Sequence, residues 1–197
     1  MSRNLNQNAN LVLVALGANL TSSAGLPADS LRFALGKILE LPQVVPLAVS
    51  RLWITPAFPP GSGPEYVNAA ATFRCAYPPE QLLRELHAIE AELGRKRDGA
   101  RWQARGLDLD LLAHGDLVLP DAAMQQHWRD LPPTKQALLA PERLILPHPR
   151  MQDRGFVLAP LAEIAPGWVH PSLGLSVAQM LAALPPEALA GMRPAGA

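Results

Sequence analysis

Apolar residues recur every third or fourth position in some stretches of this chain and every second position in others. Leu11-Val12-Leu13-Val14-Ala15-Leu16 is continuously apolar and is broken by Gly17-Ala18-Asn19, which predicts a buried strand followed by a turn. From Ala28 to Leu41, the residues Leu31, Leu35, Ile38 and Leu39 fall at helical spacing, with Asp29 or Ser30 as the cap and Pro42 as the stop. Val44 to Thr55 predicts a second strand, ended by Pro56, and the Pro/Gly-rich run from Ala57 to Pro64 predicts a loop with fixed turns. In a third strand Val67, Ala69, Ala71, Phe73 and Cys75 alternate with the more polar set Tyr66, Asn68, Ala70, Thr72 and Arg74. Leu82, Leu83, Leu86, Ile89 and Leu93 give the stripe of a helix from Pro79 to Leu93, with Gly94 just past its end. Leu107-Asp108-Leu109-Asp110-Leu111 alternates again and predicts a fourth strand that ends at His114-Gly115-Asp116.

The rest of the chain is less regular. Residues 1–10 read as a polar, flexible lead-in, 120–141 as a surface insert with a short helix, and 185–197 as a Pro/Gly/Ala tail. Leu144 to Leu146 predicts a short strand running into Pro147-His148-Pro149. A short helical piece is expected from Leu161 to Ile164 and a last amphipathic helix from Val177 to Leu184. The order β-α-β-β-α-β predicts an α+β fold with a ferredoxin-like core. Its sheet is antiparallel with the helices on one face, and further strands and helices follow at the C-terminal end. At 197 residues and 49% hydrophobic, the chain reads as a single domain, 1–197.

Charge and cysteine content narrow the function. The formal net charge is zero, which argues against a nucleic-acid binder or an acidic-membrane binder. Cys75 is the single cysteine, so neither an internal disulfide nor a cysteine-based zinc site is available. No signal-peptide pattern opens the chain, and Leu11–Leu16 is too short to span a bilayer, so a cytoplasmic location is expected, with a monomer as the expected state.

The basic residues concentrate in one place. The sixteen residues from Arg95 to Asp110 carry five cationic side chains, Trp102, and the closely spaced pair Asp108 and Asp110. On a strand those two carboxylates share a face about 7 Å apart and repel unless a cation sits between them; Mg²⁺ suits oxygen ligands of this kind. The plainer reading is a half-exposed edge strand behind a solvated loop. Neither GxxxxGK[ST] nor GxGxxG occurs, so a phosphate ligand would need side-chain cations. Arg95, Arg97, Arg101, Arg105, Arg143 and Arg154 are the candidates. His148, set between prolines, is either structural or functional. Trp102 is either a buried anchor or a ring that stacks on a ligand or closes a lid. The Asn68 amide both donates and accepts, as recognition of a heteroaromatic edge requires, and Phe58 and Phe156 can sandwich such a ring.

With these residues in view, the chain resembles the 6-hydroxymethyl-7,8-dihydropterin pyrophosphokinase family over about residues 11–170. The resemblance rests on Leu16-Gly17-Ala18-Asn19-Leu20, Thr55-Pro56, Tyr66-Val67-Asn68-Ala69-Ala70, Ile89-Glu90, Leu93-Gly94-Arg95, Arg101-Trp102 with Arg105, and Leu107-Asp108-Leu109-Asp110. Pro147-His148-Pro149, Arg154-Gly155-Phe156-Val157-Leu158 and Pro160-Leu161 with Glu163-Ile164-Ala165-Pro166 complete it. The resemblance implies a folate-biosynthesis transferase that moves diphosphate from ATP to the hydroxymethyl oxygen of the pterin, leaving AMP. It implies two Mg²⁺ at Asp108 and Asp110. It further implies a pterin slot of Thr55, Pro56, Phe58, Tyr66, Asn68, Trp102 and Phe156. The implied nucleotide side is Glu90, Arg95, Arg97, Arg105, Arg143, His148 and Arg154. Arg95 and Arg105 join the two aspartates as catalytic residues. Arg105 is expected to meet transition-state charge, and Trp102 with its flanking arginines to form a lid. Gln103-Ala104 stands where the family usually has Gly-Pro, Ala18 where Ser is common, and residues 120–141 are longer than the usual connection. The alternative is a catalytically impaired paralogue that binds pterin and nucleotide. An RNA-binding protein of the same topology is disfavoured by the neutral charge and the missing aromatic-basic sheet signature.

Overall fold

Nine residues, Asn10–Ala18, form β1, the strand from which the sheet grows in both directions. The computed structural model describes residues 9–57, 61, 63–94, 106–132, 135 and 139–196. After β1 come α1 (Pro27–Glu40), β2 (Val44–Val49), β3 (Trp53–Thr55), β4 (Tyr66–Cys75), α2 (Pro79–Glu92) and β5 (Asp108–His114). Then follow α3 (Ala122–Arg129), α4 (Gly155–Ile164), α5 (Val177–Ala182) and β6 (Arg193–Pro194). The strand order is β5-β1-β4-β3-β6, with β2 also on β4, and every pairing is antiparallel. This is the α+β, ferredoxin-like arrangement that the alternation of periods predicts.

The pleat of β1 divides the core in two. Val12, Val14, Leu16 and Ala18 face one side, where they pack with Leu31 and Ile38 of α1, Leu82, Leu86 and Ile89 of α2, and Phe73 of β4. Leu13 and Ala15 face the other side and meet Val157, Leu158 and Leu161 of α4 and Val177 and Met180 of α5. Helices therefore cover both faces of the sheet, not one. The C-terminal helices take the second face because β1 and β4 are apolar there too.

Local departures from the predicted elements have physical causes. β1 runs through Gly17 and Ala18, because both of its neighbours pair with it to that point. The second strand splits at Ser50: its N–H donates to the Ala70 carbonyl at 2.9 Å, while its Oγ accepts the Ala70 N–H at 2.9 Å. The N-cap of α1 is Leu26, and Asp29 reaches back to accept the Leu26 N–H at 3.1 Å. Leu144–Leu146 forms no strand; Leu146 makes an isolated bridge to Leu119. α4 begins at Gly155 and carries Pro160 in its interior, so the helix starts earlier than the proline suggests. Burial of Val157, Leu158 and Leu161, together with Glu163, holds it in place. Glu163 accepts from the Arg51 N–H at 3.0 Å, from Arg51 Nη2 at 2.7 Å and from Trp53 Nε1 at 3.1 Å. The segment 120–141 contains α3, whose first turn is capped by Asp121 accepting the Met124 N–H at 2.9 Å. The expected tail is ordered: Pro186–Leu189 makes one 3-10 turn and β6 joins the sheet beside β3. Among the described residues, no helix is long and apolar enough to cross a membrane.

His170 gives the fold a pH signature. It is 0% exposed, its Nδ1 accepts the Ser172 N–H at 3.2 Å, and its ring meets Trp168 edge-on at 5.8 Å. Burial, aided by nearby Arg129, pushes its pKa down to about 4. As pH falls from the ordinary histidine value toward about 4, the unfolded chain takes up a proton that the folded chain excludes. Stability should therefore fall across that window, by on the order of 3 kcal/mol in full. Urea unfolding of the wild type and His170→Asn from pH 7 to pH 4 tests this. The variant should lose stability less steeply, and parallel curves would contradict it.

Candidate active site

Gly17 sets the centre of the site. It pairs with Asn68 on β4 and with Asp108 on β5, so the three residues form one row across the sheet. Ala70, Ala15 and Asp110 form the next row. Opposed residues share a face, so Asn68, Asp108 and Asp110 rise from the same side over a floor of glycine and alanine. Two strand spacings separate the backbones of Asn68 and Asp108, about 10 Å. The floor must be low, because a Cβ on Gly17 would lie 2.7 Å from Asn68 Oδ1. The Asn68 amide Nδ2 donates to Thr55 Oγ1 at 2.8 Å, and both side chains are buried. Thr55 in turn pairs with Tyr66. At the end of β1, Asn19 Nδ2 donates to the Pro64 carbonyl at 3.3 Å and holds the start of β4.

On the β5 side, Leu107, Leu109 and Leu111 are buried, while Asp108 and Asp110 are half-buried. The outer edge of β5 is covered piecewise. Glu90, 1% exposed on α2, accepts the Leu109 N–H at 2.8 Å through Oε1. Leu112 is the extra residue of a bulge, since Leu13 pairs with Ala113 and Val14 with Leu111. The Leu112 carbonyl accepts the His148 N–H at 2.8 Å, which seats His148 beside the aspartates.

The charges here are specific. Burial pushes the His148 pKa down to about 3, with Arg154 and Arg150 adding to the shift against the opposing pull of Asp108. His148 Nδ1 accepts the Arg150 N–H at 3.1 Å. A neutral ring with Nδ1 occupied carries its proton on Nε2, so His148 presents a donor. Arg154 stands 3.6 Å from Asp110 Oδ2 and 5.6 Å from the Phe156 ring centroid, linking the carboxylates to the aromatic side chain at the start of α4. Asp108, Asp110, His148, Arg150 and Arg154 line a cleft of about 440 Å³.

The structure brings Glu90, Asp108, Asp110, Arg143, His148 and Arg154 together on the walls of that cleft. Thr55, Tyr66 and Asn68 gather separately at the β3–β4 end of the sheet, and Pro56 follows, exposed. Phe156 meets the cleft group through Arg154. Phe58, Arg95, Arg97, Arg101, Trp102 and Arg105 lie outside the described residues. Among the cleft residues that went unpredicted are His87, Trp128, Glu142 and Arg150. Trp128 was legible, since a large aromatic in a short capped helix implies that the insert packs on something. Arg150 left no signal beyond its closeness to His148.

The donor set suits a hard divalent cation. Asp108 and Asp110 offer only oxygen, and among the described residues no group of three or more His, Cys, Asp or Glu side chains converges. A cation held by two carboxylates takes its remaining oxygens from phosphate and water, as Mg²⁺ does.

Comparison with known proteins shows the family. Residues 13–166 match the profile of the family described as 7,8-dihydro-6-hydroxymethylpterin-pyrophosphokinase (HPPK). The chain is similar to a 2-amino-4-hydroxy-6-hydroxymethyldihydropteridine pyrophosphokinase from Synechocystis sp., 39% identical over 172 residues, covering 86% of this chain and 73% of that one. A Pseudomonas aeruginosa protein of the same description is 39% identical over 178 residues, 90% of this chain and 94% of that one. Among solved structures, wild-type Plasmodium falciparum HPPK-DHPS with SDX-DHP superposes with a TM-score of 0.60 at 13% identity, over 91% of this chain and 45% of that one. At that identity the likeness shows the fold, and this chain spans less than half of that protein.

The glycine floor generates a double-mutant cycle. Gly17→Ala should cost about 1–3 kcal/mol through the clash with Asn68. In an Asn68→Ala background the same change should cost under about 0.5 kcal/mol. Chemical denaturation of the four proteins measures the coupling, and equal costs in both backgrounds would contradict the close approach.

Proposed function

The chain belongs to the 7,8-dihydro-6-hydroxymethylpterin-pyrophosphokinase family, ATP-dependent diphosphotransferases of folate biosynthesis, and on that premise we propose how its side chains divide the work. The observation that carries the reading is the row Asn68–Gly17–Asp108, continued by Asp110 and Arg154. In this reading an amide that both donates and accepts serves the pterin and a pair of carboxylates serves the phosphates, on strands whose backbones lie about 10 Å apart.

The pterin lies at the Asn68 end. Asn68 and Thr55 read its polar edge, Pro56 and Tyr66 line its rim, and Phe156 covers a ring face; Phe58 and Trp102 complete the slot. ATP occupies the cleft with its phosphates toward Asp108 and Asp110. His148 donates from Nε2, and Arg143 and Arg154 pair with phosphate oxygens through their forked donors. Arg95, Arg97 and Arg105 supply further cations from the preceding segment, and Arg105 meets the charge of the transition state. Glu90 supports the nucleotide side by fixing the β5 edge at Leu109.

Mg²⁺, two ions in our reading, would be held by Asp108 and Asp110 and would screen the phosphate charge. In the reaction the pterin hydroxymethyl oxygen attacks the β-phosphorus in line. The bond between that phosphorus and the α–β bridging oxygen breaks, AMP departs, and the hydroxyl proton is lost to the surroundings. The protein contributes alignment and charge stabilisation, which is where catalysis of phosphoryl transfer resides. A cytoplasmic, monomeric enzyme completes the proposal. No feature of the described residues favours the binding-only alternative.

Two substitutions test the division. Asp110→Ala should lower kcat by about 10³-fold or more, in line with the weight of charge stabilisation, while ATP still binds. Asn68→Ala should act mainly on the pterin KM, raising it roughly tenfold, the cost of one lost pair of hydrogen bonds. Steady-state kinetics with each substrate varied measures both. Unchanged transfer in Asp110→Ala would remove the carboxylate from the mechanism.

A further inference from the structure

Residues 186–195 touch the chain at Pro56, at Glu65 beside Tyr66, and at Gly155 beside Phe156, and the assigned machinery leaves them without a role. The 3-10 turn Pro186–Leu189 lies over Gly155, the residue between Arg154 and Phe156. A Cβ there would run into the Ala188 carbonyl and approach Leu189 Cδ2 to 2.9 Å. Gly191, with φ of +73°, presses on Pro56, where a Cβ would come within 2.9 Å of Pro56 Cγ. Arg193 and Pro194 pair with Ile54 and Trp53, and the Ala195 N–H donates to the Leu52 carbonyl at 2.8 Å. Arg193 donates through Nη1 and Nη2 to the two carboxylate oxygens of Glu65, both at 2.8 Å.

β3 is only three residues long and would otherwise be a free edge. A strand that short holds its register poorly unless a second neighbour pairs with it. β6 supplies that neighbour. Gly191 fixes the chain where it leaves Thr55, and the Arg193–Glu65 fork fixes it where it returns at Tyr66. The same segment buttresses the start of α4 through Gly155. Three separate pieces of backbone carrying Thr55, Tyr66 and Phe156 are thus referenced to one strap.

We infer that the C-terminal strap, through Arg193 with Glu65 and through Gly191, is a positioning element for the pterin slot, setting pterin affinity without touching either substrate. This rests on the slot assignment made above. The fork is bidentate but its side chains are half-exposed, so its effect is modest and salt-sensitive.

The test compares wild type, Arg193→Glu, Glu65→Arg and the double swap, with Asn68→Ala alongside. Each is assayed for pterin KM, ATP KM and kcat at low salt. Either single reversal should raise the pterin KM roughly three- to tenfold, from the lost attraction and the new repulsion, with ATP KM and kcat within about twofold. The double swap should return the pterin KM to within about twofold of wild type. If Asn68→Ala raises the pterin KM and the single reversals do not, the strap inference is wrong and the slot stands. Equal rises in the pterin and ATP KM would also overturn it, as a general loosening of the fold. If Asn68→Ala leaves the pterin KM unchanged, the slot assignment itself has failed.

Discussion

The spacing of hydrogen-bonded strands is the constraint on which the site depends. Asn68, Gly17 and Asp108 belong to three adjacent strands and cannot change their separation without breaking the ladder. The separation between the amide we propose for the pterin and the carboxylates we propose for the phosphates is therefore built into the sheet and not left to loops. Gly17 makes this possible, since any larger residue would meet the Asn68 amide. The apolar residues on the opposite face, Leu16, Leu109 and Ala69 among them, lock the register by burial: a slip of one position would turn them to the cleft and the aspartates into the core.

An edge strand carrying two carboxylates needs its own support. β5 pairs with β1 on one side only. On its other side Glu90 takes the Leu109 N–H, and the His148 N–H takes the Leu112 carbonyl. Both contacts satisfy backbone groups that would otherwise be buried without partners. They also place Glu90 and His148 in the cleft, so the groups that complete the strand are the groups proposed to face the nucleotide. At the far edge the strap does for β3 what these contacts do for β5.

Much of this was legible before any coordinates. The strict alternation Leu107 to Leu111 placed both aspartates on one face, and the two polarities of Tyr66–Cys75 placed Asn68 opposite the core. Helix α2 was readable because its leucines keep one period from Pro79 onward. What the chain hid were features without a period. The Leu112 bulge and the Ser50 interruption are single-residue events fixed by partners far along the chain. Pro160 reads as a helix breaker although packing and Glu163 carry α4 through it. The ordered strap reads as a tail because Gly191 and Arg193 act through Pro56 and Glu65, more than a hundred residues away. The low pKa of His148 likewise needs the fold, since it comes from burial and from Arg154 and Arg150 around the ring.

We propose that this sheet aligns an alcohol with the β-phosphorus of ATP. The most direct measurement is to incubate the protein with Mg²⁺, 6-hydroxymethyl-7,8-dihydropterin and ATP labelled at the β-phosphate, and to separate the products by chromatography. With attack at the β-phosphorus the label moves to the pterin and unlabelled AMP forms in equal amount, only when the pterin is present. Pterin-dependent ADP that retains the label would mean attack at the γ-phosphorus and would contradict it.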